Sequence, residues 1–364
     1  MYNLKNKSIF LFILAGVVFL ASCQPAATST PSPAAVTQET PGGPRQLNVI
    51  THDSFAVSEE VVAAFETQYN ARVQFIKGGD TGVALNKLIL SKDHPLADVF
   101  YGLDNTYLSR ALDEGIFEPY ASPLLAQIPV EFQLDPAQGA LPVDYGDVCI
   151  NYDKAYFAEK NLTPPQDLDA LLDPQYRSML VVENPATSSP GLAFLLATIG
   201  RYGEEGYLDY WRQLVDNDVQ VVNDWETAYN GEFSYWGGTR PLVVSYSSSP
   251  PFEMIFAETP LEEPPTGSVV GPGSCFRQIE FAGILKGTPN RDLAEAWIDF
   301  MLSPTFQEDM PMQMAVFPVN PDARLDESFA QYLQTPEQPA TLAPDLIASQ
   351  RETWIQAWTE VVLR

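Results

Sequence analysis

Between Gln46 and Gly115 the chain alternates short β-branched runs with amphipathic ones, and this alternation limits the fold more than any other feature. Gln46-Leu47-Asn48-Val49-Ile50, Arg72-Val73-Gln74-Phe75-Ile76 and Ala97-Asp98-Val99-Phe100-Tyr101-Gly102 read as strands. Helical runs lie between them. Ser58-Glu59-Glu60 opens one, with Val61, Val62, Ala64 and Phe65 on a stripe, and Val83 to Leu90 forms another. A third, Thr106 to Glu114, stops at Gly115. Strands alternating with helices imply a parallel sheet covered on both faces. In such α/β sheets ligands sit beyond the carboxyl ends of the strands. The residues there are Thr51, His52 and Asp53, then Asp80 and Thr81, then Asp104 and Asn105. Three converging carboxylates suit a cationic ligand or a metal. Each Asp also suits a helix N-cap, Asp104 most of all.

The same logic recurs further on. Met179 to Val182 reads as a strand and leads through Asn184-Pro185-Ala186-Thr187-Ser188-Ser189-Pro190-Gly191 into the apolar run Leu192 to Ile199. Ser189 suits the N-cap and Pro190 the first helical position. The free amides and dipole of such a helix start can seat an anion, although an ordinary capped helix uses the same residues. A helix start is expected at Asp167-Leu168-Asp169 and a helix over Tyr207 to Val215, with Trp211 in the core. Val219 to Val222 and Pro241 to Ser245 read as strands, and a helix is expected past Trp225. Their ends carry Asn223-Asp224-Trp225-Glu226 and Tyr246-Ser247-Ser248-Ser249. Val148 to Asp153 reads as a strand crossing into a second domain, and Phe276 to Leu285 as one returning. Helices Asp292 to Leu302 and Ala343 to Leu363 follow. The expected lobes are 46–147 plus 276–364, and 148–275.

The first residues carry an address. Lys5 and Lys7 precede an apolar run from Ile9 to Leu20, then Leu20-Ala21-Ser22-Cys23. This reads as an export signal over 1–22. A cysteine after Leu-Ala-Ser resembles a bacterial lipobox, which implies that Cys23 is lipidated. The mature chain is then extracytoplasmic, in the cell envelope, with the lipid as its only hold on a membrane. Residues 23–45, rich in Pro, Ala, Ser and Thr, read as a flexible tether. Export permits disulfides. Cys149 and Cys275 both sit in strand-like runs, and a bridge or two buried free thiols fit the sequence equally.

Charge narrows the partners. The chain has 47 acidic and 20 basic residues, a formal net charge of −27. That argues against nucleic acid and anionic membrane surfaces. Two histidines, His52 and His94, are too few for multi-histidine metal chemistry. There is no Gly-x-Ser-x-Gly elbow and no Gly-rich phosphate loop. No enzyme activity, cofactor or resident metal is expected. Carboxylates together with Trp225 and Tyr246 match a cationic aromatic ligand. A cation over such a ring gains on the order of 0.5–2 kcal/mol. The hydroxyl-rich helix start would take a phosphate tail on that ligand.

Several stretches carry a family resemblance. They are Asp53-Ser54-Phe55, Ala97-Asp98-Val99, Gly102-Leu103-Asp104-Asn105, Asp144-Tyr145-Gly146, and Thr187-Ser188 with Pro190-Gly191-Leu192. Trp225 with Ala228-Tyr229, Ser245-Tyr246 with Ser249-Pro250, and Phe300-Met301 with Ser303-Pro304 join them. In this order and spacing, from about Leu47 to Arg364, they resemble the periplasmic thiamine-binding proteins, the solute receptors of thiamine ABC importers. The resemblance implies a two-lobed α/β fold of the periplasmic-binding-protein type II, each lobe a mostly parallel sheet flanked by helices. The ligand cleft lies between the lobes. It also implies thiamine or a thiamine phosphate as ligand, an importer permease as partner, and a monomer without catalysis.

Carried over residue by residue, the ligand contacts are Asp80, Thr81, Ser188, Ser189, Trp225, Tyr246, Ser247, Ser248 and Ser249. His52, Asp53 and Asp104 join them as strand-end groups. The serines would hold a phosphate or hydroxyethyl tail, while Trp225 and Tyr246 line the cleft. Two positions depart from the family. His52 stands where a tyrosine is usual, and Ala315 where a tryptophan is. Each lost stacking face costs about 1 kcal/mol. Receptors of this fold also serve polyamines and ferric iron. The iron receptors typically use adjacent tyrosines, and no Tyr-Tyr pair occurs here. A secreted hydrolase is the alternative of another class.

Overall fold

The computed structural model describes residues 43–364. The signal segment, Cys23 and the tether up to residue 42 lie outside the described residues. Strands Arg45–Thr51 (β1), Ala71–Lys77 (β2) and Val99–Asp104 (β3) pair in parallel, with β1 in the middle. Helices Glu59–Tyr69 (α1), Thr81–Leu90 (α2) and Leu108–Asp113 (α3) follow them in turn. As expected, Ser58 caps α1, its Oγ accepting from the Val61 amide. Gly115 ends the third helical segment at φ 63°. The α1 stripe is thinner than expected. Only Phe65 is buried, and Ala64 is exposed, because α1 covers β2 at the sheet edge.

The short strand Phe117–Glu118 (β4) precedes the long strand Leu141–Asp153 (β5), and Lys154–Glu159 (α4) follows. Asp167-Leu168-Asp169 does not start an α-helix. A 3-10 turn over Ala170–Leu172 takes its place, because Pro174 pushes Asp173 into an extended conformation. Leu180–Glu183 (β6) then feeds Ser189–Asp216 (α5), which breaks at Gly203, φ 74°. The two expected helices, around Leu192–Ile199 and Tyr207–Val215, are its two arms.

Gln220–Val222 (β7), Leu242–Tyr246 (β8), Ser249–Ile255 (α6), Thr266–Val269 (β9) and Phe276–Leu285 (β10) come next. The helix expected past Trp225 is a π-helical turn, Thr227–Glu232. Arg291–Leu302 (α7), Pro304–Gln307 (α8), Met310–Met314 (α9), Phe317–Pro318 (β11), Glu327–Gln331 (α10) and Pro344–Val362 (α11) complete the chain.

One sheet runs β2-β1-β3-β10-β5-β8-β6-β7, with β4 on β10 and with β9 and β11 on β5. Its two ends are parallel. The middle is not, because β10 and β5 run antiparallel to each other and to β3 and β8. These two long strands carry the chain between the halves. Cys149 in β5 and Cys275 just before β10 are joined by a disulfide.

Large aromatics fill the cores. Under the first half, Trp297 meets Phe65 edge to face at 4.8 Å. Helix α11, expected with the first lobe, packs on α5, where Trp358 meets Trp211 edge to face at 5.4 Å. Its Arg351 also reaches the Thr106 carbonyl at 3.3 Å, so the helix straddles both halves.

Candidate ligand-binding site

The strand ends of both halves face one cleft of about 850 Å³, counting its open mouth. From the first half come His52, Asp53, Ser54, Asp80 and Thr81; from the second, Ser189, Pro190, Asp224, Trp225, Glu226, Tyr229, Tyr246, Ser249 and Phe252. Glu280 enters from β10, and Gln313, Met314, Ala315 and Val316 from the end of α9. The lining holds five carboxylates and no Lys or Arg.

Asp80 is the most connected of the five. It caps α2, its Oδ1 accepting from the Thr81 amide at 2.7 Å. The same oxygen accepts from the Ser189 amide at 3.3 Å, and Oδ2 from the Trp225 amide at 3.2 Å. One carboxylate therefore joins the start of α2 to two segments of the other half. Burial raises its pKa to about 6, against the pull of these hydrogen bonds and of the Ser188 hydroxyl. The approach depends on Gly82, where a Cβ would lie 2.8 Å from the Thr187 carbonyl oxygen.

The helix start of α5 differs from the expectation. Ser188, not Ser189, is the N-cap, with its Oγ accepting from the Gly191 amide at 3.5 Å. Ser189 is the first helical residue and Pro190 the second. The shift follows from Asp80, which claims the Ser189 amide and so occupies the seat expected for an external anion.

The other expected residues divide. His52, Asp53, Thr81, Trp225, Tyr246 and Ser249 line the cleft with Asp80 and Ser189. Asp104, Ser188, Ser247 and Ser248 do not. Asp104 is fully buried, where it accepts from the Thr106 amide at 2.7 Å and from Gln278 Nε2. Ser248 donates to the Ala315 carbonyl, and Ser247 Oγ is buried without a partner. The strand-end rule places these residues near the cleft, but the tight turn Tyr246–Ser249 can aim only part of its hydroxyls into it.

Trp225 stacks on Tyr229 at 4.7 Å and 14°, and its Nε1 donates to Ser245 Oγ at 3.0 Å. Tyr229 in turn donates to the buried Glu253, which also accepts from Thr266 Oγ1. Tyr246 is fixed by donating to Gln278 Oε1 at 2.8 Å. His52 lies against Gly102, where a Cβ would come within 2.3 Å of its ring. Burial, with the charge of Lys77, lowers the imidazole to about 3, so it is neutral. The arrangement can stack a planar ring and surround a positive charge.

Sequence reasoning missed Glu280, Asp224, Glu226, Tyr229, Phe252 and the Gln313–Val316 segment apart from Ala315. Asp224 and Glu226 flank Trp225 at a strand end, so the rule that selected Trp225 could have found them. Glu280 interrupts the apolar run Ile279-Glu280-Phe281, and an acid inside a buried strand was its signal.

Comparison with known proteins places the chain. The family model for bacterial extracellular solute-binding proteins matches residues 94–339. The thiamine-binding periplasmic protein of Brucella suis biovar 1 (strain 1330) is 29% identical, over 99% of this chain and 100% of that protein. The thiamine-binding periplasmic protein of Escherichia coli (strain K12) is 30% identical over 87% and 94%. A solved periplasmic thiamin binding protein superposes with a TM-score of 0.77 at 27% identity, covering 88% of this chain and 99% of that one. The fold is accordingly the two-lobed α/β type II periplasmic-binding-protein fold. With well over half of its length matched by the family model, the chain belongs to the bacterial extracellular solute-binding proteins.

Proposed function

We propose that the chain captures thiamine outside the cytoplasm and hands it to the permease of an ABC importer. The observation that carries this reading is the cleft itself, with Trp225, Tyr229, Tyr246 and Phe252 facing it among five carboxylates and no basic side chain. That is the lining a flat organic cation needs. The thiamine-binding names of the near full-length relatives support the same ligand. The ligand contacts are assigned to Asp80, Thr81, Ser189, Trp225, Tyr246 and Ser249, with His52 deeper in the cleft beside Glu280 and Asp53 at the rim. Capture would close lobe 46–147 plus 276–364 on lobe 148–275 about β5 and β10.

The deciding experiment is a thermal shift against thiamine, its mono- and diphosphate, spermidine, ferric citrate and phosphate. Ligand at 100 times its Kd adds about 2.7 kcal/mol to stability. A shift with the thiamine series is expected. A shift with spermidine alone would favour a polyamine receptor, which the five carboxylates could also serve. Turnover of an ester or peptide panel would instead indicate a hydrolase. Trp225→Ala is expected to weaken thiamine by about 1–2 kcal/mol, roughly 5- to 30-fold by titration calorimetry. Unchanged affinity would remove Trp225 from the contact set.

The proposal includes a lipid anchor at Cys23 and a monomeric receptor. Cys23→Ser should move the protein from the membrane to the soluble fraction, and continued membrane association would rule the anchor out.

A further inference from the structure

Strand β10 lies between β3 and β5, and Glu280 is the register partner of Asp104 on one side and Asp144 on the other. Three carboxyl groups thus stand in a row across three strands behind the cleft. Asp104 and Asp144 are 0% exposed and Glu280 is 6% exposed, and of the three only Glu280 lines the cavity. Asp104 is satisfied by Thr106 and Gln278. Asp144 is satisfied only in part. Tyr101 donates to Asp144 Oδ2 at 2.5 Å and lies 3.3 Å from Glu280 Oε2, while Asp144 Oδ1 has no partner.

The Tyr101 hydroxyl thus stands within hydrogen-bond distance of both carboxyls, which holds Asp144 and Glu280 side by side in the buried sheet. Two buried carboxyls on one hydroxyl repel each other when both are ionised, which favours a proton on one of them. The groups facing the pair offer no cation to replace that proton. They are His52 after β1, Tyr101 and Asp104 on β3, and Tyr246 on β8. The His52 Nε2 stands 3.5 Å from Glu280 Oε1 and has no hydrogen-bond partner. The nearby Lys77 amine is held on the Phe55 carbonyl. No group of three or more His, Cys, Asp or Glu among the described residues is arranged to hold a metal ion.

We propose that Glu280 is the counter-ion of the bound ligand, and that entry of an organic monocation expels the proton which Asp144 and Glu280 share. This rests on the thiamine reading, whose thiazolium ring carries a fixed positive charge. Charge balances at each step: one positive charge enters the cleft, and one proton leaves to the solvent. Burial and the Asp144 charge raise Glu280, and burial raises Asp144 to about 6, both in the direction that keeps a proton on the pair. Glu280 then acts as a carboxylate beside the ligand, with Tyr101 still donating to Asp144.

The test is titration calorimetry of the full-length protein with thiamine at pH 7, in buffers of different ionisation enthalpy. The observed enthalpy should vary with the buffer by close to one proton released per ligand bound. Between pH 5.5 and 7.5 the Kd should tighten with rising pH, approaching about tenfold per unit. Glu280→Gln should abolish both the proton release and the pH dependence, and weaken binding at least about tenfold. The wild-type proton count decides the matter even if that variant fails to fold. Thiamine binding with a buffer-independent enthalpy would overturn the proposal alone, since Glu280 would then keep its proton and act as a neutral donor. No heat and no thermal shift with thiamine would overturn the ligand reading and this proposal with it.

Discussion

Lowering the pH from 8 to 5 is expected to stabilise the unliganded protein by several kcal/mol. The cause is a set of buried carboxyl groups held above their ordinary range. Burial raises Asp80 and Asp144 to about 6 and Glu253 to about 8. Asp104, Glu183 and Glu280 are raised for the same first reason. In the unfolded chain such groups titrate near 4. Between about pH 4 and pH 8 the folded protein therefore keeps protons that the unfolded chain has released. Stability must then fall as pH rises through that window.

Each such group gives about 1.4 kcal/mol per pH unit. Glu253 alone should contribute about 2 kcal/mol between pH 8 and 6.5. Below pH 6.5 His52 opposes the trend, because its imidazole, lowered to about 3, stays neutral where an unfolded histidine gains a proton. One imidazole against Asp80, Asp144 and Glu253 leaves the sign unchanged down to about pH 5. Asp292, lowered to about 2 by its ion pair with Arg45, acts only below pH 4.

Urea unfolding at pH 8, 6.5 and 5 would read the effect. Repeating it in 0.5 M salt separates the buried groups from the repulsion of 47 surface and buried acids, since salt screens exposed charges far more than buried ones. A flat or falling profile toward acid would mean that water reaches Glu253 and the Asp144–Glu280 pair.

How far the sequence could be read depended on how local each signal was. β1, β2 and β3 and the Ser58 cap followed from periodicity and one hydroxyl, both local. Asp80 and Trp225 were legible because each stands three residues past a strand end, where the topology of α/β sheets puts ligands. The assignment of the α5 cap failed by one residue for a tertiary reason. Ser188 and Ser189 are locally equivalent, and only the arrival of Asp80 from 109 positions away decides between them. Glu280 was illegible as a site residue for a similar reason. A strand residue can face either side, and which side looks into the cleft depends on β10 lying between β3 and β5. The π-helical turn after Trp225 has no sequence marker of its own. It matters because it brings Tyr229 under Trp225, so an aromatic pair stood where one ring was expected.

Replacing Cys149 and Cys275 together by alanine is expected to cost about 2–5 kcal/mol of stability. The two residues are 126 apart in sequence, so the bridge closes a long loop of the unfolded chain. Closing a loop of that order removes conformational entropy worth about 4–5 kcal/mol in the chain-entropy account. The bridge also joins β5 and β10, the two strands that carry the chain between the halves, near the pairing of Val148 with Phe276. Neither cysteine lines the cleft, and both are fully buried. Ligand affinity should therefore change little, within about threefold, while the unfolding midpoint in urea falls. The slope of the transition separates two causes. If the bridge acts on the unfolded chain, its removal lets that chain expand and the slope rises. If the loss comes from native packing around the two side chains, the midpoint falls at constant slope. A double variant as stable as the parent would show that the pairing of β5 with β10 alone holds the crossing strands together.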